Sequence, residues 1–165
     1  GWLGTYRKTH LFYEENAHFA PGETGFPVWT VQDRRGQSYR LGVMVCFDWF
    51  FPEAARTLAL GGADVIAHPS NLVLPHCPRA MPVRALENHV FTTTANRVGT
   101  ESNGKESLTF IGQSVICSPG GEVLAGATET EEAVITAEIL PHESRDRAVN
   151  RYNDLLGDRR PEHYG

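Results

Sequence analysis

The chain has few of the features that mark a specialised environment. Its three cysteines, Cys46, Cys77 and Cys117, are odd in number and share no Cys-x-x-Cys spacing. That argues against a disulfide framework and suits a reducing compartment, so a cytoplasmic location is expected. No apolar run approaches the roughly 20 residues of a membrane helix. The opening residues, GWLGTYRKTH, carry no signal-peptide core, so no membrane partner is expected. No Asn-x-Ser/Thr acceptor occurs. Positive charge is also scarce: 15 Lys and Arg against 20 Asp and Glu leave a net charge of −5, which removes the electrostatic footprint of a nucleic-acid partner. Repeats, low-complexity tracts and linkers are absent.

What is present is ordinary globular material. With 41% apolar and 21% charged residues, a chain of this length closes one core, giving one domain over residues 1–165 with a charged C-terminal arm from about 140 to 165.

The pattern of apolar residues predicts strands over Thr5–Leu11 and Phe26–Val31, with the polar FYEENAHFAPGETG loop between them. LGVMVC, ending on Cys46, is apolar throughout, as in a strand buried on both faces. Pro52 and Glu53 open a helix with an apolar face of Ala55, Leu58 and Ala59, and Gly61-Gly62 stop it. ADVIAHP is a second buried strand, PRAMPVRALENHV a second helix, and FTTTANRV a third strand. From Phe110 to Ile139 three short strands are expected, with Gly120-Gly121 turning the first hairpin. The tail RDRAVNRYNDLLGDRRPEHYG reads as a surface helix and arm, or as a segment that packs on a partner chain. Strands alternating with helices and followed by hairpins describe a layered α/β domain; a four-layer αββα sandwich and an open doubly wound sheet both fit, and the hairpins favour the sandwich.

Cys46 stands where α/β sheets gather reactive groups, beyond the carboxyl end of a strand and just before a helix. A thiolate attacking a carbonyl or nitrile carbon needs a proton acceptor, donors for the developing negative charge, and a group that activates water. The Lys8 ammonium, the Glu14 and Glu15 carboxylates and the Phe47 backbone N–H are the candidates; His10, His68 and His76 would serve a Cys-His arrangement. Asn71 ends the strand after the Cys helix and either faces substrate or caps a loop. Trp49 either walls the pocket or packs the core. Glu53 reads as a helix-start residue, and Arg84 with Glu87 as an ion pair three residues apart. His68, His76 and Cys77 make a poor metal pattern, so no metal is expected. Cys117, in an apolar strand, reads as inert.

The motifs YRKTHLF, PGETGFPV, GVMVCFDWFFPEAARTLALGGADVIAHPSN, RALEN, ANRVG, FIGQSVICSPGGEVL and NDLLGDRRPEHY resemble, in order and along essentially the whole chain, the nitrilase superfamily of carbon–nitrogen hydrolases. The likeness is to its aliphatic nitrilase, amidase and N-carbamoyl amidase branches. It implies the αββα sandwich, of which this chain covers the C-terminal part. It also implies Cys46 as nucleophile, Lys8 as the catalytic lysine and Glu15 as the further active-site glutamate, with Glu14 one residue away as the alternative. The general-base glutamate of the family lies upstream of the lysine motif and is not among these residues, so the chain alone is expected to be incomplete. Expected with this resemblance are hydrolysis of small nitriles, amides or carbamoyl amides through a thioester with release of ammonia, no cofactor, and homo-oligomeric assembly. The alternative is an inactive truncated domain that serves binding or assembly.

Overall fold

The computed structural model describes residues 1–164. Its centre is a six-stranded mixed sheet in the order β1-β2-β3-β4-β7-β8. Strand β1 (Val28–Gln32) pairs antiparallel with β2 (Ser38–Val43), and β2 runs parallel to β3 (Val65–Ser70), which runs parallel to β4 (Phe91–Asn96). Antiparallel β7 (Val115–Cys117) and β8 (Val123–Gly126) finish the far side, turned at Gly120-Gly121, where Gly121 takes φ +82°. The parallel centre contains the apolar segments Leu41–Val43 and Val65–Ala67, and β3 and β4 are the most buried strands of the sheet.

Helices α2 (Pro52–Leu60) and α3 (Cys77–Asn88) supply the two parallel crossovers and lie on one face. Register fixes that face. Gly42 pairs with Ile66 and Ile66 with Thr92, so all three point the same way. A Cβ on Gly42 would come within 2.8 Å of the Leu58 side chain, so the missing side chain lets α2 settle onto the strand. Ala54, Ala55, Leu58 and Ala59 of α2, Met81 and Ala85 of α3, and Met44, Ile66, Val115 and Cys117 from the sheet side form the buried core. Each large apolar side chain fully buried there contributes about 1.5–3 kcal/mol.

The opposite face carries Trp29, Leu41 and Val43, all half-buried. The expected last strand runs across it without joining a ladder. Val134, Thr136, Glu138 and Leu140 point outward while Ile135, Ala137 and Ile139 are half-buried, and Ile139 and Pro141 border a cavity with Leu41 and Val65. Alternation reports an extended chain with one face covered, and it carries no information about a hydrogen-bonding neighbour. For the same reason the strand expected over Thr5–Leu11 is an extended arm with no ladder. Tyr6 and Lys8 turn inward, and Thr5 and Arg7 turn out.

Three further differences concern boundaries and the tail. The LGVMVC strand ends at Val43, and Cys46 opens a 3-10 turn, Cys46–Phe50. A second hairpin, β5 (Val98–Ser102) with β6 (Ser107–Ile111), stands apart from the main sheet. Among the described residues the tail contains no α-helix; it has the small hairpin β9 (Ala148–Asn150) with β10 (Asn153–Asp154) and a 3-10 turn at Pro161–His163. It is fastened by Arg145, whose guanidinium donates to the buried Asp64 carboxylate at 2.7 and 3.0 Å, with Ser144 Oγ–H donating to the same group at 3.0 Å. The layered α/β class is as expected; this chain forms one sheet and one helical layer of it.

Candidate active site

The carboxyl ends of the parallel strands open into a cleft of about 740 Å³ lined by Lys8, Glu14, Glu15, Cys46, Asn71 and the β5–β6 hairpin. Four sequence segments far apart in the chain meet there: the extended arm, the turn after β2, the loop after β3 and the β5–β6 hairpin.

Cys46 is half-buried and has φ +48°, in the left-handed region that non-glycine residues avoid. That conformation costs on the order of 1–2 kcal/mol and persists only where neighbours over-determine it. The neighbours are identifiable. The Met44 N–H donates to the Ala67 carbonyl at 3.1 Å, extending the β2–β3 ladder one step beyond the strand. The Val45 N–H donates to Asp48 Oδ2 at 2.8 Å, and His68 Nε2 meets the Cys46 carbonyl at 2.9 Å. The Phe47 N–H, second in the turn, has no hydrogen-bond partner among the described residues.

Asp48 is fully buried and also collects the arm. Its carboxylate accepts from the Tyr6 hydroxyl at 2.6 Å, from the His10 N–H at 3.1 Å and from His10 Nδ1 at 2.8 Å. Burial, and then the bond to Asp48, pushes the Tyr6 phenol well above its usual range, so it stays a donor. The arm is held at its other edge by the Gly22 N–H donating to the Lys8 carbonyl at 2.8 Å. Lys8, pinned between these points, is mostly buried and forms an ion pair with Glu15. Glu15 opens the short helix α1 (Glu15–His18) and also accepts the Phe12 N–H at 2.7 Å. Glu14 lines the cleft but does not contact the lysine.

Of the sequence-nominated residues, Lys8, Glu15, Cys46 and Asn71 share the cleft, and the Phe47 amide belongs to the same turn as Cys46. Trp49 does not line the cleft. It is buried in the core, and its carbonyl accepts Arg84 Nε–H at 3.2 Å. Arg84 pairs with Glu87 at 2.8 Å. Cys77 and Cys117 are buried, and burial pushes both thiols up, away from thiolate. His68 faces the Cys46 carbonyl rather than its sulfur. No cluster of three or more metal-ligating side chains occurs among the described residues, and no helix among them is long and apolar enough to cross a membrane.

The Asp48 brace and the β5–β6 wall were not anticipated from sequence. Both carried a signal. Asp48 stands three residues after Val45 at a strand exit, the spacing at which a carboxylate caps a turn. Asn103-Gly104, flanked by ESNGKES, is a hairpin dipeptide. That hairpin brings Arg97, Glu101 and Glu106 to the cleft; Arg97 pairs with Glu101 and stacks on Phe110 at 4.5 Å, and the Tyr13 hydroxyl reaches Glu106 at 3.0 Å.

Residues 1–148 match the family model for carbon-nitrogen hydrolase. The chain belongs to the carbon–nitrogen hydrolase family. It is 56% identical over 164 residues to a nitrilase of Pyrococcus abyssi, covering 99% of this chain and 59% of that protein. It is 35% identical over 182 residues to the N-carbamoylputrescine amidase of Solanum tuberosum, covering 98% of this chain and 58% of that one. A carbon–nitrogen hydrolase from Helicobacter pylori superposes with a TM-score of 0.84 at 31% identity, over 98% of this chain and 59% of that one. A mutant amidase from Nesterenkonia sp. AN1, solved with the acetamide moiety of fluoroacetamide added covalently at its active-site cysteine, superposes with a TM-score of 0.67 at 34% identity over 78% of this chain and 47% of that one. The chain thus spans about three-fifths of the length of the curated relatives it matches.

Proposed function

We propose that this chain carries the nucleophile and electrophilic half of a hydrolase acting on carbon–nitrogen bonds other than peptides, with small amides, carbamoyl amides or nitriles as substrates. One observation carries the reading: a half-buried cysteine in a strained left-handed turn, at the carboxyl end of a parallel sheet, opens onto the same cleft as a mostly buried Lys8–Glu15 pair.

In this reading the Cys46 thiolate attacks the electrophilic carbon. Lys8 and the Phe47 N–H receive the charge that develops on oxygen or nitrogen, each well-placed donor lowering the barrier by on the order of 3 kcal/mol. Glu15, already bonded to Lys8, orients the ammonium. Asn71 contacts substrate at the cleft wall, and Trp49 backs the nucleophile turn from the core. An amide or carbamoyl amide loses ammonia directly to leave an acyl-thioester at Cys46, whereas a nitrile first gives a thioimidate that adds one water before ammonia leaves; a further water then hydrolyses the thioester and frees the Cys46 thiol. The thiol proton passes to a carboxylate that these residues do not supply, the general-base glutamate implied by the family resemblance. Homo-oligomeric assembly and a cytoplasmic location belong to the same reading.

The test is ammonia release from small nitriles, amides and carbamoyl amines, by the chain alone and supplemented with the N-terminal part of a relative. The expected result is turnover in the supplemented reaction, abolished by Cys46→Ala and cut at least about 10²-fold by Lys8→Ala. Turnover that survives Cys46→Ala would overturn the mechanism. No turnover on any class, with Cys46 no more reactive than an ordinary thiol, would favour a binding or assembly module instead.

A further inference from the structure

The buried His68 has a contact that a packing role does not require. It lies on β3 with Ile66, on the face toward the helices, where its own register partner is Thr94. Its ring bridges two elements: Nδ1 is 3.1 Å from Thr94 Oγ1 and Nε2 is 2.9 Å from the Cys46 carbonyl oxygen, with Ser70 Oγ also 2.9 Å from Nε2. A carbonyl only accepts, so Nε2 carries the hydrogen. Nδ1 is then the acceptor and the Thr94 hydroxyl the donor, which fixes the tautomer from behind.

The Cys46 carbonyl and the Phe47 N–H belong to one planar trans peptide group, so they point in opposite directions. Whatever holds the carbonyl aims the N–H. We propose that His68 is a positioning residue that acts through the Cys46–Phe47 peptide, locking its plane so that the Phe47 N–H is presented, unpartnered, as the oxyanion donor. This rests on the hydrolase reading given above. The left-handed Cys46 makes such a lock necessary, because a residue in that region relaxes toward the favoured regions when its restraints are removed, and its following peptide turns with it. Asp48 holds the preceding N–H, of Val45, while His68 holds the following carbonyl, so the strained residue is gripped on both sides. Burial pushes His68 down to about 4, keeping the ring neutral and the Nδ1 lone pair available to Thr94 through the physiological range.

The test compares wild type with His68→Leu, His68→Gln and Thr94→Val in the supplemented ammonia-release reaction, and separately by alkylation of Cys46 with iodoacetamide. Alkylation is a displacement that develops no oxyanion, so it reports the thiolate without the donor. His68→Leu is expected to lower kcat by about 10²-fold with KM within about threefold, and to leave the alkylation rate within about threefold. His68→Gln, whose side-chain N–H reaches for the same carbonyl, should recover at least about tenfold of that loss, and Thr94→Val should fall between wild type and His68→Leu. Unchanged kcat in His68→Leu, equal losses in His68→Leu and His68→Gln, or alkylation falling in parallel with kcat would each overturn the inference.

A readout independent of turnover keeps the two readings apart. Nitrogen-15 spectra should show the Nε2–H tautomer of His68 from pH 8 to pH 5, and a Phe47 amide resonance that moves in His68→Leu and Thr94→Val. An Nδ1–H tautomer overturns the brace whatever the enzyme does, and decides the matter even where His68→Leu fails to fold. An intact Nε2–H tautomer with no substrate turned over supports the brace and counts against the hydrolase reading alone.

Discussion

The Tyr6 hydroxyl and the Asp48 carboxylate meet at 2.6 Å across 42 residues of sequence, and this contact couples the lysine-bearing arm to the cysteine-bearing turn. The arm has no ladder to hold it. Its position relative to Cys46 depends on side chains converging on one buried carboxylate, and on the Gly22 turn behind.

Removing that carboxylate should therefore damage geometry as well as stability. Asp48→Ala strands the Val45 and His10 N–H groups and the Tyr6 hydroxyl, and leaving buried donors unpaired costs about 1–3 kcal/mol each where water does not replace the partner. The expected result is a loss of about 3 kcal/mol by urea denaturation. Tyr6→Phe removes the charge-assisted bond to Asp48 and also the acceptor of the Thr9 N–H, which donates to the same hydroxyl at 3.1 Å, and should cost about 1.5–3 kcal/mol. In the supplemented reaction the Tyr6→Phe effect should appear in kcat more than KM, because Lys8 shifts while the cleft walls stay. Equal kcat in Tyr6→Phe and wild type would show that the arm is held without this bond.

Gly22 is needed for closeness rather than for a left-handed backbone. A Cβ there would lie 2.1 Å from the Arg7 carbonyl oxygen, so Gly22→Ala must push the backbone beside Lys8 away. The expectation is at least a tenfold fall in kcat/KM with a destabilisation of about 1–3 kcal/mol, the usual range for overpacking. Gly36→Ala serves as the control. Its Cβ would meet nothing within 4 Å, though its φ of +77° carries the strain of a left-handed alanine. Activity lost equally in both variants would argue against a special role for Gly22.

Thiol chemistry should single out one cysteine. Cys46 is half-buried on the cleft, whereas Cys77 and Cys117 are enclosed and burial disfavours their thiolates. Near neutral pH, iodoacetamide should modify the folded chain at Cys46 alone, and Cys46→Ala should abolish labelling until denaturant is added. Mass mapping of the modified peptide checks this. Labelling of Cys77 at a comparable rate would show that the α3 face of the core opens readily.

Much of this was legible in the sequence, for identifiable reasons. Apolar runs marked β2 and β3, and β-branched residues marked β4, so these strands and the helices between them fell close to their predicted places. Proline at the start and glycine at the end set the bounds of α2. The misses share one cause. A period of two describes burial: Val134–Leu140 and the start of the arm, residues 5–8, alternate in burial without pairing to any neighbour. At the cleft, residue types marked Lys8, Glu14, Glu15, Cys46 and Asn71 as candidates, and the family resemblance preferred Glu15 to Glu14. The brace was invisible because Tyr6, His10 and Asp48 become one network only after the arm folds across the turn, and His68, a candidate for a Cys-His arrangement by its type, meets the nucleophile's own carbonyl instead of its sulfur.

His68 also predicts how stability responds to acid. Burial holds its pKa at about 4 in the folded state, opposed only in part by the Cys46 carbonyl and the more distant Asp48 charge, against about 6.5 in an unfolded chain. Between those values the unfolded state binds the extra proton. Stability is therefore lost as pH falls from 6.5 toward 4, by up to about 1.4 kcal/mol per pH unit and on the order of 3 kcal/mol altogether. Above pH 6.5 the residue contributes no slope. Urea denaturation of wild type and His68→Gln at pH 7.5, 6, 5 and 4.5 isolates the effect, since the glutamine cannot titrate and the carboxylates are common to both. The wild type should lose stability relative to the variant on acidification, and parallel curves would mean that the imidazole accepts its proton in place, with the pocket open to water.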